Sequence, residues 1–175
     1  MKSSLDNIFL VGPMGAGKTT IGRLLASEMQ LEFVDSDAEI EQRSGASISW
    51  IFDVEGEPGF RLREKKIIAE LTERKGMVLA TGGGVVLDSQ NRKFLQGRGV
   101  VIYLMTTVSQ QAERTRRDQK RPLLQNVQDP RARLTELMEI RDPLYREIAD
   151  YIIVTHRRGP KAVCAEIAQH LAGKL

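Results

Sequence analysis

The sequence has 175 residues, of which 41% are hydrophobic, and it carries a formal net charge of +3. This size suits one domain that buries about 70% of its unfolded surface, so no separate second domain is expected. The mildly basic charge without a basic tail argues against a dedicated nucleic-acid-binding role, and the single cysteine, Cys164, excludes an internal disulfide and a cysteine-based zinc site.

The N-terminal residues MKSSLDN lead directly into the first apolar segment. They lack the charged start, the apolar stretch and the cleavage site of a signal peptide. No apolar run approaches the roughly 20 residues that span a bilayer. We therefore expect a cytoplasmic protein without a membrane partner.

Short apolar runs alternate with longer helical patterns along the chain, which is typical of βαβ units and a parallel sheet. The pattern predicts five strands, at residues 8–12, 32–35, 77–81, 100–105 and 151–155. It also predicts seven helices, at about 18–29, 38–44, 57–74, 88–97, 107–118, 130–148 and 160–173. We therefore expect an α/β fold whose ligands bind beyond the carboxyl ends of the strands.

The segment GPMGAGKTT, at 12–20, follows the first predicted strand and opens the first predicted helix. It fits the pattern G-x-x-x-x-G-K-[ST] in the context that this motif requires, and it predicts a triphosphate site. Gly15 and Gly17 let backbone N–H groups turn toward phosphate oxygens. Lys18 would reach the β- and γ-phosphates, and the Thr19 hydroxyl would ligate Mg²⁺. A glycine-rich turn without a ligand has no need of this lysine and threonine.

Two aspartates follow the second predicted strand. Asp35 lies at its end, where a carboxylate can hold a water of the Mg²⁺ shell. If the chain is still extended at Asp37, this side chain points the same way as Asp35. One acid would then serve the metal and leave the other for a second role. Alternatively, either residue caps the helix that begins near residue 38.

Two arginines suggest an anionic acceptor. Arg141 interrupts an apolar helical stripe formed by Leu134, Leu137, Met138, Leu144, Tyr145 and Ile148. A guanidinium on a buried face needs an anion, although a structural salt bridge or a side chain that reaches the rim is the alternative. Arg61 shares a helical face with Glu64, which can orient it.

Arginines bind carboxylates through two parallel hydrogen bonds, so the pair suggests a small acidic acceptor. Asp37 is available to hydrogen-bond the hydroxyl of such an acceptor. The glycines at 82–84 would let the backbone approach it closely, although a plain tight turn after the strand is the alternative.

Residues 114–124 include five basic side chains, and Pro122 breaks the helix after them. This segment is predicted to be a lid that closes over the phosphates and brings an arginine to the transferring group. A solvated helix end is the alternative. Because no aromatic residues are interleaved with the basic ones, we expect no nucleic-acid partner.

In combination, these motifs resemble the shikimate kinase family, monomeric P-loop enzymes of the nucleoside-monophosphate-kinase-like group. The resemblance covers nearly the whole chain and rests on GPMGAGKTT at 12–20, FVDSDAEIE at 33–41, GFR at 59–61, ATGGGVV at 80–86, RPLL at 121–124 and RDPLY at 141–145. It implies a three-layer α/β/α P-loop NTPase fold with a five-stranded parallel sheet. One kinase domain would span 1–175, with a substrate-binding segment at about 36–63 and a lid at about 114–128.

The resemblance also implies a Mg²⁺-dependent transfer of the ATP γ-phosphoryl group to the 3-hydroxyl of shikimate. Shikimate would be bound by Asp37, Arg61, Gly83 and Arg141, with the arginine pair on its carboxylate. ATP would be bound by Gly15, Ala16, Gly17, Lys18, Thr19, Thr20, Arg114, Arg121 and Arg158, and the metal by Thr19 and Asp35. Lys18, Asp37 and Arg121 would be catalytic, with Asp37 either a base or only an orienting group.

Three other functions stay open from the sequence. A kinase for another polyol acid, such as gluconate, would use the same fold. A GTP-dependent switch is suggested by residues 53–56, which fit D-x-x-G, although the chain has no N-K-x-D motif and this segment does not follow a strand. A structural or nucleic-acid-binding protein that uses ATP only for stability would leave Arg141 unexplained.

Overall fold

The structure is a computed structural model that describes residues 7–116 and 121–173. These residues form five strands: β1 (Asn7–Val11), β2 (Glu32–Asp35), β3 (Met77–Ala80), β4 (Val100–Met105) and β5 (Tyr151–Val154). They form one parallel sheet in the order β2-β3-β1-β4-β5. The sequence prediction of the five strands is confirmed, with every strand end within one residue of its predicted position.

In the described part of the chain, seven helices surround the sheet: α1 (Lys18–Met29), α2 (Ser36–Ser44), α3 (Ile48–Leu71), α4 (Ser89–Arg98), α5 (Val108–Thr115), α6 (Pro130–Ile148) and α7 (Pro160–Ala172). Short 3₁₀ turns lie at Val85–Leu87 and Pro122–Leu124. None of the helices in the described residues combines the length and hydropathy needed to cross a membrane.

The sheet is buried on both faces, which explains why its strands are almost continuously apolar. Ile8 and Leu10 of β1 pack with apolar side chains of α1 and α7. Phe9 and Val11 point to the opposite face and pack with side chains of α3, α4 and α6. The predicted three-layer α/β/α arrangement is therefore confirmed.

The first half of α3 differs from the prediction. The predicted helix at 57–74 begins instead at Ile48, where the Ser47 hydroxyl accepts a hydrogen bond from the Trp50 N–H. At Gly56 the backbone leaves the helical region, with φ 72° and ψ 176°, so the helix is kinked there. Because the D-x-x-G match at 53–56 lies inside this helix, it does not have the strand-following position of a GTPase motif.

The turn after β1 requires a glycine. Gly12 has a φ of 147°, and a Cβ placed on it would lie 2.4 Å from the carbonyl oxygen of Leu104 in β4. A side chain would therefore clash with backbone atoms of the neighbouring strand. This close approach turns the chain over the carboxyl end of the sheet and into α1.

The predicted lid at 114–128 is described in part. Helix α5 ends at Thr115. Residues 117–120, which include the predicted helix end at 118, lie outside the described residues. The chain is described again from Arg121, which directly precedes the 3₁₀ turn Pro122–Leu124.

Candidate active site

Two adjoining cavities lie beyond the carboxyl ends of the strands. The main cleft has a volume of about 770 Å³ and is lined by residues 15–21 together with side chains that follow β2, β3 and β5. The side cavity has a volume of about 80 Å³. The two cavities share the residues Asp37, Ile48, Gly82, Gly83 and Arg121. A group bound in the side cavity therefore lies next to whatever occupies the main cleft.

The glycine-rich loop forms the floor of the main cleft. Lys18 donates hydrogen bonds from Nζ to the carbonyl oxygens of Gly12 (2.6 Å) and Pro13 (2.9 Å). The pKa of Lys18 is lowered to about 7, mainly by burial and also by the positive charge of Arg121. No side chain caps the start of α1 at Gly17. The helix N-terminus and the buried lysine together favour a polyanionic ligand here.

Asp35 has two roles in this structure. Its Oδ1 accepts hydrogen bonds from the N–H groups of Asp37 (2.9 Å) and Ala38 (3.1 Å), so it caps α2. Its Oδ2 accepts a hydrogen bond of 3.0 Å from the Thr19 hydroxyl. The helix starts at Ser36, so the condition of an extended chain at Asp37 is not met. Asp35 therefore caps α2 with one oxygen and contacts Thr19 with the other at the same time.

The pair formed by Thr19 and Asp35 fits Mg²⁺. Both supply hard oxygen atoms, and Mg²⁺ in phosphoryl-transfer sites takes only one or two protein ligands and keeps waters and phosphate oxygens for the rest. In residues 7–116 and 121–173 there is no cluster of three or more histidine, cysteine or acidic side chains that would form an all-protein metal cage.

Asp37 lies on the wall between the two cavities. Its Oδ1 is buried and has no hydrogen-bond partner among the described residues. The Gly82 turn approaches it so closely that a Cβ on Gly82 would lie 2.8 Å from this oxygen. The pKa of Asp37 is raised to about 6, mainly by burial and also by the negative charge of Asp35. A carboxylate with a raised pKa and an oxygen without a hydrogen-bond partner is suited to accept a hydrogen bond and a proton.

Arg61 is oriented by acidic residues of its own helix. Its Nη1 donates to Glu64 Oε1 at 3.0 Å, and its Nε and Nη2 donate to Glu57 Oε1 at 3.3 and 3.1 Å. The predicted contact with Glu64 is thus present. Glu64 is 1% exposed, and burial raises its pKa to about 7 against the opposing effect of the Arg61 charge. Its second oxygen, Oε2, is buried and has no hydrogen-bond partner in the part of the chain that the structure describes.

Arg141 is buried on α6 and lines the side cavity. It is only 4% exposed, and burial lowers the pKa of its guanidinium. Its Nη1 lies 3.3 Å from the position that a Cβ on Gly83 would occupy. No carboxylate of residues 7–116 and 121–173 lies within ion-pair distance of it, so the structural salt bridge considered above is not found there. A buried cation without an anionic partner is suited to bind an anionic ligand.

The remaining predicted arginines lie around the main cleft. Arg121 lines both cavities, and its charge lowers the pKa of both Lys18 and Asp37. Arg114 donates from Nη1 to the Gly15 carbonyl oxygen at 2.7 Å. Arg158 also lines the main cleft, where it is tied to the Val154 carbonyl oxygen (2.9 Å) and to Glu166.

Sequence reasoning missed two contributions to this site. The first turns of α3 place Ile48 and Phe52 in the side cavity and Ser49 in the main cleft. A capping serine at 47 followed by apolar residues at helical spacing is a signal that could have found them, but Gly56 and Pro58 interrupt the pattern. Tyr145 was predicted only as an apolar stripe residue, yet its hydroxyl donates to the Gly83 carbonyl oxygen.

Comparison with known proteins gives a consistent result. The model of the family described as "Shikimate kinase" matches residues 14–172. Shikimate kinase from Histophilus somni is 61% identical over 161 residues, which cover 92% of each chain. The solved structure of shikimate kinase from Acinetobacter baumannii in complex with shikimate superposes with a TM-score of 0.95 at 53% identity, covering 98% of this chain and 95% of that one. A gluconokinase from Sinorhizobium meliloti reaches a TM-score of 0.57 at 17% identity, with 97% of each chain covered, which shows a shared fold alone.

Proposed function

The chain belongs to the shikimate kinase family, and we propose that its main cleft holds ATP with Mg²⁺ while its side cavity holds shikimate. It is an ATP-dependent kinase that transfers the γ-phosphoryl group to the 3-hydroxyl of shikimate, giving shikimate 3-phosphate and ADP. One observation carries the assignment of the two cavities. The buried Arg141 lines a small cavity that shares Asp37 with the phosphate-loop cleft, and it has no carboxylate partner among the described residues.

Shikimate fits the charges of the side cavity. Its carboxylate would pair with Arg61 and Arg141, since both guanidinium groups line this cavity. The turn at 82–84 would approach the ring with its backbone, and Gly83 would donate a hydrogen bond from its N–H without a side chain in the way. The hydroxyl that receives the phosphoryl group would then lie beside Asp37, at the wall shared with the main cleft.

ATP would occupy the main cleft. Its phosphates would be bound by the backbone and side chains of residues 15–20, and the base and sugar would extend toward Arg114 and Arg158. Thr19 and Asp35 would hold Mg²⁺, either directly or through a water. When bound, the metal ion would neutralise charge on the β- and γ-phosphate oxygens.

In the transfer step, the 3-hydroxyl oxygen of shikimate forms a bond to the γ-phosphorus while the bond from this phosphorus to the bridging oxygen of ADP breaks. Asp37 accepts the hydrogen bond of the attacking hydroxyl, and its raised pKa suits it to take up the proton that the transfer releases. Lys18 and Arg121 bracket the moving phosphoryl group and stabilise its charge. Most of the acceleration then comes from positioning and charge.

We further propose that the protein acts as a monomer with one kinase domain over 1–175. Every residue assigned above comes from a single chain, which supports a site that needs no partner subunit. A cytoplasmic location is proposed because the reaction consumes ATP.

The decisive experiment measures ADP release with shikimate, gluconate and nucleoside monophosphates as acceptors. We expect a rate above the ATP-only background with shikimate and not with the other acceptors, because a nucleoside or a flexible sugar acid does not match the small rigid cavity and its arginine pair. Lys18→Met serves as the control for contaminating kinases, since it removes the phosphate-contacting charge. A rate with gluconate equal to that with shikimate would overturn the acceptor assignment.

A further inference from the structure

The hydroxyl of Tyr145 joins two parts of the proposed shikimate site. Tyr145 is fully buried on α6, and its hydroxyl donates a hydrogen bond of 2.5 Å to the carbonyl oxygen of Gly83. Arg141 precedes it by four residues and therefore lies one helical turn away on the same face. The positive charge of this guanidinium lowers the pKa of the Tyr145 phenol, although burial raises it more. The phenol thus contacts the glycine turn directly and lies within the electrostatic influence of the buried Arg141.

The hydrogen bond to Gly83 fixes the direction of a peptide unit. In a trans peptide the C=O and N–H groups point in opposite directions. A Gly83 carbonyl that faces Tyr145 therefore turns the Gly84 N–H away from α6. Gly84 also packs closely against Arg61, since a Cβ on it would lie 2.4 Å from Arg61 Nη2.

The backbone donors of this turn are available to a ligand. In the residues that the structure describes, neither the Gly83 N–H nor the Gly84 N–H donates a hydrogen bond. Both glycines line the side cavity together with Arg61 and Arg141. The phenol, the oriented peptide and the two guanidinium groups therefore form one connected arrangement around the expected position of the carboxylate.

We propose that Tyr145 is a positioning residue for carboxylate recognition, which holds the Gly83–Gly84 peptide with its N–H toward the ligand and keeps Arg141 in place beside it. This inference rests on the proposed placement of shikimate in the side cavity. Tyr145 acts through its neighbours and not by touching the substrate.

A purely structural role is the competing explanation, and the chain offers a matched control for it. Tyr103 of β4 is also fully buried, and its ring centroid lies 4.9 Å from that of Tyr145. Its hydroxyl donates to Asp142 Oδ1 at 2.6 Å and not to a residue of the proposed site. Tyr103→Phe and Tyr145→Phe therefore each remove one buried hydrogen-bonding hydroxyl from the same part of the core.

The first test compares the kinetics of the two variants. For Tyr145→Phe we expect a KM for shikimate about tenfold above that of the unmodified protein, which corresponds to one lost hydrogen bond, with little change in kcat or in the KM for ATP. Tyr103→Phe should leave the KM for shikimate unchanged. If Tyr145→Phe changes this KM no more than Tyr103→Phe does, the proposal is wrong.

The second test asks whether the effect depends on the carboxylate. Binding is measured by calorimetry with shikimate and with an analogue in which a hydroxymethyl group replaces the carboxylate. The loss of affinity caused by Tyr145→Phe should be about tenfold for shikimate and nearly absent for the analogue. An equal loss for both ligands would overturn the positioning role.

The results of both tests can be distinguished from a loss of stability in the variant and from a failure of the shikimate assignment itself. Urea unfolding with and without saturating shikimate yields the affinity by linkage even if Tyr145→Phe is less stable. If the unmodified protein neither binds nor phosphorylates shikimate, the proposed function fails, and the Tyr145 proposal fails with it. If the unmodified protein does both but the variant equals the Tyr103 control, only the Tyr145 proposal fails.

Discussion

Replacing Arg141 by methionine distinguishes a binding role from a structural one, because the two roles predict opposite changes in stability. Arg141 is 4% exposed, and its guanidinium has no carboxylate within ion-pair distance among the described residues. Burial of a charge without such a partner is unfavourable, and an apolar side chain of similar length removes this penalty. From comparable replacements of buried charges, the free energy of unfolding of the ligand-free protein should rise by about 1–3 kcal/mol.

The same substitution should impair the reaction with shikimate severely. Two charge-assisted hydrogen bonds to the carboxylate would be lost, each worth about 1.5–3 kcal/mol, so kcat/KM for shikimate should fall by roughly 10²- to 10⁴-fold. The affinity for ATP should stay within about twofold, because Arg141 lines the side cavity but not the main cleft. Urea unfolding measures the stability, and coupled ADP release measures the kinetics. A variant that is less stable yet retains normal shikimate kinetics would refute the reasoning and assign Arg141 a structural role.

Three further substitutions test other parts of the site. Asp35→Asn should keep the cap of α2 while raising the Mg²⁺ concentration needed for half-maximal rate by about 10- to 100-fold, as measured by titrating Mg²⁺ in the ADP-release assay. For Glu64, a pKa raised from 4.5 to about 7 means that its contribution to stability is complete below about pH 4.5 and is lost as the pH rises through about 7. The stability of the unmodified protein relative to Glu64→Gln, measured by urea unfolding from pH 5 to 8, should therefore fall with pH, and an increase would mean that pairing with Arg61 lowers this pKa instead. Gly84→Ala should raise the KM for shikimate about tenfold or more, because its Cβ would lie 2.4 Å from Arg61 Nη2 and would displace this guanidinium from the side cavity. Gly97→Ala, with open space around the added methyl group, is its control and should change no kinetic constant.

The sequence predicted those features that depend on local pattern. The strands were recognisable because residues such as Ile8 and Val101 are buried in a sheet covered on both faces, which produces continuous apolar runs bounded by glycines. Arg141 was recognisable for the opposite reason, since it is the charged exception in an apolar helical stripe. Its burial in the structure follows directly from this periodicity.

Features that depend on how elements meet were not predictable in this way. Helix α3 continues through Gly56 and Pro58 with a kink at Gly56. The sequence pattern therefore did not predict the first turns of α3, although they line both cavities. Asp35 was expected either to serve the metal or to cap a helix, and the structure shows that its two oxygens face different partners. The hydrogen bond from Tyr145 to Gly83 depends on the packing of α6 against the turn after β3, which no local spacing encodes.

The unpaired polar groups of the side cavity explain why its acceptor must carry both an acid and hydroxyl groups. Asp37 Oδ1 and Glu64 Oε2 are buried without hydrogen-bond partners in the described residues, and Arg141 lacks a carboxylate there. The glycine turn lies between them, because Cβ atoms on Gly82 would approach the two acids and a Cβ on Gly83 would approach the arginine. Asp37 Oδ1, Glu64 Oε2 and Arg141 therefore do not pair with one another, although Glu64 Oε1 is paired with Arg61, and a ligand can supply the missing partners. An acceptor without a carboxylate would leave Arg141 without an anionic partner, and one without suitable hydroxyls would leave Asp37 Oδ1 and Glu64 Oε2 without hydrogen-bond donors. Since buried polar groups left without partners discriminate more strongly than a change in apolar shape, this arrangement makes the cavity selective for a hydroxylated carboxylic acid.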